Sequence, residues 1–254
     1  MKIRILGSGY GECKIKTMRS KDYRKSGGVL IDDRILIDAP ADIFEAANDL
    51  GFDDMFKSVS VVLISHSHSG HFSAEAILEL AKKRKIRVLA GFSVLSRIPQ
   101  NENVEKIEIS SYMQFTIGEY NVAVLPTNHK TDDYSEECYN FLFTGSRNLF
   151  YALDGGWINE RAFRILKHVT LDVIIADTAL DTSTPCQANL YHNDIETLIR
   201  MKALFEAEGI LYEKSKFILS HVPSDKKRPI YEELSPIAKE NGMILAYDGF
   251  FARI

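Results

Sequence analysis

The chain has 254 residues, of which 45% are hydrophobic and 26% are charged, and its 31 basic and 35 acidic residues give a formal net charge of −4. This composition excludes disordered, collagen-like and disulfide-rich proteins and predicts a soluble globular protein with a large core. A slightly acidic balance also argues against a broad nucleic-acid-binding surface, which requires a strongly basic face.

The cysteine pattern points to a reducing compartment. Cys13, Cys138 and Cys186 are odd in number and widely spaced, so they predict neither a disulfide framework nor a thiolate zinc site. The chain shows neither a secretory-type apolar stretch at its beginning nor an apolar run of the roughly 20 residues that span a membrane. We therefore expect a cytoplasmic protein without a membrane anchor.

The first part of the chain alternates short β-branched apolar runs with turn residues, a pattern typical of strands. The predicted strands are Lys2–Leu6, Val29–Ile31, Ile35–Ile37 and Ser58–Ser65. Asp32 and Asp33 separate the second strand from the third and predict a hairpin, hence an early antiparallel meander. In Phe72–Lys83 the apolar residues recur at helical spacing, so this segment is predicted as an amphipathic helix.

The remainder reads as a strand-rich middle followed by alternating strands and helices. The predicted strands are Ile86–Ala90, Val104–Ile109, Phe115–Ile117, Val122–Leu125, Tyr139–Phe143, Leu149–Leu153, Val173–Ala176, Phe217–Leu219 and Ile244–Ala246. Helices are predicted at Glu160–His168 and at Asp194–Glu208, the second ended by Gly209. Because no internal repeat or flexible linker interrupts the pattern, we predict a single domain over residues 1–254 in which helices cover two sheets.

The segment ISHSHSGHF places His66, His68 and His71 within six residues, directly after a predicted buried strand. Neutral imidazole is a good ligand for zinc and similar metals, and an irregular loop lets side chains at this spacing converge on one point or on two adjacent points. The alternative is a polar loop that only caps the following helix, but a single small polar residue such as Ser73 would suffice for that. The spacing therefore favours a metal site.

This segment resembles the H-x-H-x-D-H signature of the metallo-β-lactamase fold, a four-layer αββα sandwich of mostly hydrolytic metalloenzymes. Later positions agree with the resemblance: His129 in LPTNH, Asp154 in LFYALDGG and His221 in FILSH each follow a predicted strand. The resemblance covers nearly the whole chain and implies an α/β protein with this four-layer fold.

The segments LGSGYGE, LIDAP and ILAYDGF further resemble the phosphonate-pathway cyclic phosphodiesterases and the tRNA 3′-processing nucleases, with the former closer. That branch hydrolyses phosphodiesters, so the resemblance implies a metal-dependent hydrolase of a small cyclic nucleotide-like or nucleotide-end substrate. Its members are often dimers, which makes a homodimer a further expectation.

The resemblance also implies roles for individual residues. His66, His68, His129 and Asp154 would hold one divalent metal, His71, His221 and the shared Asp154 a second, with Zn expected and Mn or Fe as alternatives. His192 in ANLYHNDIETL would assist departure of the leaving group, and Asp177 in IIADT would orient it, although a turn role for Asp177 is an equal alternative. Asp38 and Asp248 are expected to have supporting rather than catalytic roles, and His168 is assigned no chemistry.

Gly70 stands where the signature has its aspartate and offers no ligand atom. Three outcomes follow: a weak second metal completed by water, a mononuclear enzyme, or a non-catalytic binding protein. Asp132 or Asp133 is the candidate to replace the missing carboxylate. A hydrolase of thioesters, lactones or β-lactams on the same scaffold is a separate alternative, because fold and metals do not fix the substrate.

The segment Glu12–Gly28 is basic and holds one cysteine, so an added cysteine-rich zinc site is not expected there. Its cations are Lys14, Lys16, Arg19, Lys21, Arg24 and Lys25. They would form either a solvated loop or a rim that attracts phosphate to the metals.

Overall fold

The computed structural model describes residues 1–11, 20–52, 54–180, 190–224 and 230–254. Within them, strands form two seven-stranded sheets and one short pair. The first sheet contains β1 (Lys2–Ile5), β3 (Val29–Ile31), β4 (Ile35–Ile37), β5 (Val61–Leu63), β6 (Ile86–Ala90), β7 (Val104–Glu108) and β16 (Phe251–Arg253), numbered along the chain. Its spatial order is β16-β1-β3-β4-β5-β6-β7, antiparallel up to β4 and parallel from β4 to β7.

The second sheet has the order β15-β13-β12-β11-β10-β9-β8. Its strands are β8 (Gln114–Ile117), β9 (Tyr120–Pro126), β10 (Tyr139–Thr144), β11 (Leu149–Ala152), β12 (Leu171–Asp177), β13 (Leu211–Ser220) and β15 (Ile244–Leu245). Strands β11, β12, β13 and β15 run parallel, whereas β8 to β11 form an antiparallel meander. The short pair joins β2 (Gly9–Tyr10) to β14 (Val222–Pro223) in parallel.

Six α-helices lie within the described residues. They are α1 (Ile43–Asp49), α2 (Ala74–Ala81), α3 (Phe92–Leu95), α4 (Glu160–Leu166), α5 (Ile195–Ala207) and α6 (Ile230–Glu240), and a 3₁₀ turn spans Met55–Ser58. The side chains of Ser73, Asn159 and Asp194 accept hydrogen bonds from the first turns of α2, α4 and α5, which fixes where these helices begin. No helix in the described part of the chain has the length and apolarity needed to cross a bilayer.

Alternation of side chains along the strands separates the core into three apolar layers. In β5, Val61 and Leu63 face the second sheet, while Val62 faces the helices on the other side. Helices α1, α2 and α3 pack on the outer face of the first sheet, and α4, α5 and α6 pack on that of the second. The result is the αββα sandwich that the resemblance implied.

Most predicted strands are confirmed, and the differences lie at boundaries and in short helices. Asp32 and Asp33 both have positive φ, 48° and 59°, as a two-residue hairpin requires. The strand predicted over Ser58–Ser65 is confirmed only over β5, and its first residue, Ser58, belongs to the 3₁₀ turn. The prediction at Phe217–Leu219 covers only the end of β13. Helices α1, α3 and α6 and the strands β2, β14 and β16 were not predicted.

Candidate metal centre

The ends of six strands meet at one edge of the sandwich and carry the predicted site residues. In the first sheet, Asp38 follows β4 and the histidine segment follows β5. In the second sheet, His129 follows β9, Asp154 follows β11 and His221 follows β13, and Asp177 is the last residue of β12. Because these strands run in one direction within each sheet, their carboxyl ends bring side chains that are far apart in sequence together.

Three of these strand ends carry a non-glycine residue in the left-handed region. Asp38, Asp154 and His221 have φ of 62°, 50° and 58°. This conformation is unfavourable for residues with a Cβ, and aspartate tolerates it better than most. The backbone therefore turns sharply where each strand ends and directs all three side chains into the shared edge.

The first ligand group is formed by His66, His68, His129 and Asp154, whose ligand atoms lie within 4.8 Å of one another. His66 Nε2 and His129 Nε2 lie 3.1 and 3.6 Å from Asp154 Oδ2. Both of these nitrogens also lie 3.1 Å from His68 Nδ1. These separations are close to the edges, about 3.4 Å, of a tetrahedron with metal–ligand bonds of about 2.1 Å.

The second group is formed by His71, His221 and the same Asp154. His71 Nε2 lies 2.9 Å from Asp154 Oδ2, and His221 Nε2 lies 2.7 Å from Asp154 Oδ1. All three residues are buried. The Asp154 carboxylate thus lies between the two groups: Oδ2 is near His66 and His71, and Oδ1 is near His221.

The hydrogen bonds around Asp38 determine which nitrogens of His66 and His71 carry hydrogen. His71 Nδ1 donates to Asp38 Oδ2 at 2.7 Å, because a carboxylate only accepts. Ser65 Oγ also donates to Asp38 Oδ2, at 3.0 Å, so it must accept the bond from His66 Nδ1, also at 3.0 Å. In their neutral forms both imidazoles then direct the lone pair of Nε2 toward the Asp154 carboxylate.

A cation fits this arrangement. The buried atoms His71 Nε2, His221 Nε2 and Asp154 Oδ1 form no hydrogen bond with any described residue. Lone pairs of neutral imidazole aimed at a carboxylate repel it unless a proton or a metal ion lies between them. The donors are all nitrogen or carboxylate oxygen, which suits Zn, Mn or Fe, so the residues present match a divalent metal centre.

The electrostatics of the two groups differ. Burial lowers the pKa of both His66 and His129 to about 4, so both are neutral and have a free lone pair at neutral pH. Burial also opposes protonation of His71, but the carboxylates of Asp154 and Asp38 outweigh it and raise its pKa to about 10. Despite burial, His221 and His71 hold the pKa of Asp154 well below its usual range. The pocket therefore favours positive charge beside Asp154.

Asp38 is buried and supports the centre rather than forming part of it, in agreement with its expected role. Besides His71 and Ser65 Oγ, it accepts bonds from the Ser65 amide at 2.8 Å and the Tyr151 hydroxyl at 2.7 Å. Asp248 lies elsewhere, accepting bonds from the amide and hydroxyl of Ser8 and from the amide of Lys25. It ties the loop after β1 to the chain near its C-terminus.

His192 and Asp177 form a pair at the margin of the centre. His192 Nδ1 donates to Asp177 Oδ2 at 2.8 Å and lies 3.6 Å from Asp154 Oδ1. Although burial opposes protonation, Asp177 raises the pKa of His192 to about 9. Asp177 also accepts the Ala179 amide at 2.7 Å, so it makes both a turn hydrogen bond and the contact with His192.

The structure does not support a replacement for the missing carboxylate at Gly70. Asp132 is exposed and Asp133 is bonded to the hydroxyls of Ser93 and Ser135, and neither belongs to a ligand group. Within the described residues, that expectation was therefore wrong: Asp133 is held by two serine hydroxyls, and Asp132 offers no atom to either ligand group. A Cβ placed on Gly70 would meet no atom within 4 Å, so open space lies where the signature's aspartate would project.

The basic segment is only partly described, and its described cations have other partners. Arg24 is buried and donates to Ser8 Oγ and the Ala246 carbonyl, and Lys25 pairs with Glu45. Lys21 lies over the ring of Tyr231. Arg24 and Lys25 therefore fit neither the solvated loop nor the phosphate rim, whereas Lys21 is exposed, as a solvated loop would have it. Lys14, Lys16 and Arg19, like Cys13 and Cys186, lie outside the described residues.

A cleft of about 640 Å³ opens over the two ligand groups. It is lined by Gly9, Tyr10, Gly11, Ser26, His68, Ser69, Gly70, His71, Asp154 and His221. His168, in contrast, is exposed after α4 and belongs to no ligand group.

Sequence reasoning missed Ser65, Tyr151 and Tyr10. The first two could have been suspected, because they are polar groups at predicted buried positions and need hydrogen-bond partners.

Comparison with solved structures agrees with this fold. The metallo-β-lactamase fold protein YhfI from Bacillus subtilis has a TM-score of 0.75 and 16% identity, covering 99% of this chain and 98% of its own. A diphosphatase from the PhnP family has a TM-score of 0.71 and 18% identity, with 99% and 97% covered. Human tRNase Z, short form, has a TM-score of 0.70 and 14% identity, with 100% and 99% covered.

These likenesses establish the metallo-β-lactamase fold. No curated protein sequence matches the chain. The family model described as the beta-lactamase superfamily domain, however, matches residues 33–214, a range that contains every ligand residue except His221. The chain therefore belongs to the family of proteins with the beta-lactamase superfamily domain.

Proposed function

We propose that this protein is a metal-dependent phosphodiesterase that acts on a small cyclic nucleotide-like or nucleotide-end substrate. The observation that carries the proposal is the His192–Asp177 pair, which lies beside the carboxylate shared by both ligand groups. When a phosphate ester of an alcohol is hydrolysed, the alcohol part leaves as a strongly basic alkoxide. The reaction therefore benefits from a proton donor next to the centre. The fold likeness to a diphosphatase and to tRNase Z supports the same class of substrate.

The residues divide the work in a defined way. His66, His68, His129 and Asp154 would hold one divalent metal, and His71, His221 and Asp154 a second, with Zn the first candidate and Mn or Fe the alternatives. Metal ions held there supply positive charge for the phosphoryl oxygens and a water of low pKa as nucleophile. Asp38 keeps His66 and His71 oriented. It accepts a hydrogen bond from His71 Nδ1 directly, and it accepts one from Ser65 Oγ, which in turn accepts one from His66 Nδ1.

His192 handles the proton of the departing group. Its Nδ1–H is held by Asp177, which leaves Nε2 to donate to the oxygen of the leaving alcohol. The attacking water first loses a proton to solvent. As the resulting hydroxide adds to phosphorus, the bond from phosphorus to the leaving oxygen breaks, the proton from Nε2 converts that oxygen to a hydroxyl, and solvent returns a proton to His192. The products are a phosphate monoester and an alcohol, which for a cyclic substrate remain in one molecule.

Hydrolysis of bis(p-nitrophenyl) phosphate and p-nitrophenyl acetate by the metal-loaded protein tests the reaction class. We expect turnover of the phosphodiester, a large loss in His68→Ala and full activity in His168→Ala, which removes an exposed histidine outside the centre. Full activity of His68→Ala would contradict the proposal. Turnover of the acetate alone would indicate a thioester or lactone type of hydrolase, and binding without turnover a non-catalytic protein.

Leaving-group dependence tests the role of His192. For a 2′,3′-cyclic nucleotide, whose leaving group is an alkoxide, His192→Gln should lower kcat by about 10²–10⁴-fold. For bis(p-nitrophenyl) phosphate, whose phenolate needs no proton, the loss should be about tenfold or less. Asp177→Asn should show the same pattern more weakly. An equal loss on both substrates would show that His192 acts otherwise than as a proton donor.

A further inference from the structure

Tyr10 forms an aromatic wall of the cleft that the proposed mechanism does not use. Its ring centroid lies 4.9 Å from that of His192 and 5.1 Å from that of His221, with interplanar angles of 54° and 56°. The side chain nevertheless remains 39% exposed and lines the cleft. Part of the ring therefore packs against the centre, and part of the residue is exposed in the cleft.

The backbone holds this ring in place. Tyr10 ends β2, which pairs with β14 directly after His221. Its carbonyl accepts the amide and the hydroxyl of Ser224 at 2.9 and 2.8 Å. Gly9 allows the close approach, because a Cβ there would lie 2.9 Å from the Lys25 carbonyl oxygen. A ring fixed before binding loses little conformational entropy when a ligand stacks on it.

Among the described residues, three that line the cleft together with Tyr10 have no side chain. Gly9 and Gly11 flank Tyr10 in sequence, and Gly70 belongs to the histidine segment. The other walls are mostly imidazole, hydroxyl and carboxylate groups. The Tyr10 ring thus offers an apolar, planar surface, with its centroid 5.1 Å from the ring of His221 and 4.9 Å from the ring of His192, the proposed proton donor.

We propose that Tyr10 is a specificity-determining residue on which the nucleobase of a nucleotide substrate stacks. The inference rests on the proposed function, which places the phosphate at the ligand groups. In a nucleotide the base is separated from the phosphate by a single sugar, so a phosphate at the centre brings the base into the region of the ring. Stacking on an aromatic side chain is tolerant of base identity and contributes substantially to nucleotide affinity.

Calorimetric titration of the Zn-loaded protein with adenosine 5′-monophosphate and with ribose 5-phosphate tests this inference, because the second ligand has the same sugar and phosphate but a hydroxyl in place of the base. We expect wild type to bind the nucleotide about tenfold more tightly. Tyr10→Phe, which keeps the ring, should preserve this ratio. Tyr10→Leu should reduce it to near one while leaving the affinity for ribose 5-phosphate unchanged.

A wild-type ratio near one would overturn the inference, whatever the variants do. So would a Tyr10→Leu protein that keeps the tenfold preference or that weakens both ligands equally, since the latter indicates a structural role. Thermal melting shows whether each variant is folded. Turnover of bis(p-nitrophenyl) phosphate by the same preparations separates the two proposals. Turnover together with equal affinity for the two ligands would contradict only the stacking proposal. Preferential binding of the nucleotide without turnover would contradict only the proposed hydrolysis.

Discussion

At the scale of single residues, Gly70 sets the balance between the two ligand groups. The first group combines three histidines with Asp154, whereas the second has two histidines and the same carboxylate. Because one negative charge is shared, a dication in each group would leave the centre with an excess of positive charge. The second group should therefore bind its metal more weakly than the first.

Gly70→Asp should restore the missing ligand. The new side chain would enter open space beside His71, where a Cβ meets no atom within 4 Å. The added carboxylate should raise affinity for the second equivalent of Zn by at least about tenfold, because ligand charge tunes metal affinity. Plasma mass spectrometry after dialysis against graded free Zn measures the change. Gly70→Asn, equal in size but uncharged, is the control, and an equal gain in it would contradict the argument.

At the scale of elements, helix α5 connects the stability of the fold with the position of His192. The Asp194 side chain caps α5 by accepting the Thr197 amide at 2.7 Å, two residues after His192. Between them, Asn193 Nδ2 donates to the Gly155 carbonyl at 2.6 Å, next to Asp154. The start of this helix therefore connects His192, the proposed proton donor, to the segment that holds Asp154.

Asp194→Ala should lower both stability and activity. Loss of the cap costs about 1 kcal/mol of folding free energy, which lowers Tm by about 2–4 °C in a chain of this size. Ala203→Gly, on the exposed face of the same helix, should cost a similar amount through helix propensity. Only Asp194→Ala should also reduce kcat on the cyclic nucleotide, and an equal reduction in both would show that helix stability, not the local anchor, matters.

The elements also show what the sequence could predict. Runs such as VVL in β5 were recognised because a strand buried on both faces is continuously apolar. Helix α6 was missed because it contains Pro236, a residue type that is unfavourable inside helices. The first half of β13 was missed because its exposed residues are polar. Motif spacing was enough to predict that His66, His68 and His71 lie close together. The position of Tyr10 could not be predicted, because it depends on pairing of β2 with β14, two segments about 210 residues apart that no local pattern connects.

At the scale of the whole molecule, the metal centre joins the two halves of the sandwich. His66, His68 and His71 extend from the first sheet, whereas His129, Asp154 and His221 extend from the second. A metal ion in either group would thus contact ligands from both sheets. Ions bound in this way stabilise the folded chain, because the ligands do not converge in the unfolded state.

Metal removal should therefore lower the melting temperature of the protein. At free Zn one hundred times the dissociation constant, binding adds about 2.7 kcal/mol of stability, which corresponds to about 5–10 °C in Tm. Calorimetry with Zn and with a chelator measures this difference. Asp154→Asn keeps a residue type that tolerates the left-handed backbone but removes the shared charge, so its melting temperature should respond little to Zn. The exposed His168→Ala variant should retain the full response, and a wild type that melts identically with and without chelator would show that the centre does not tie the sheets together.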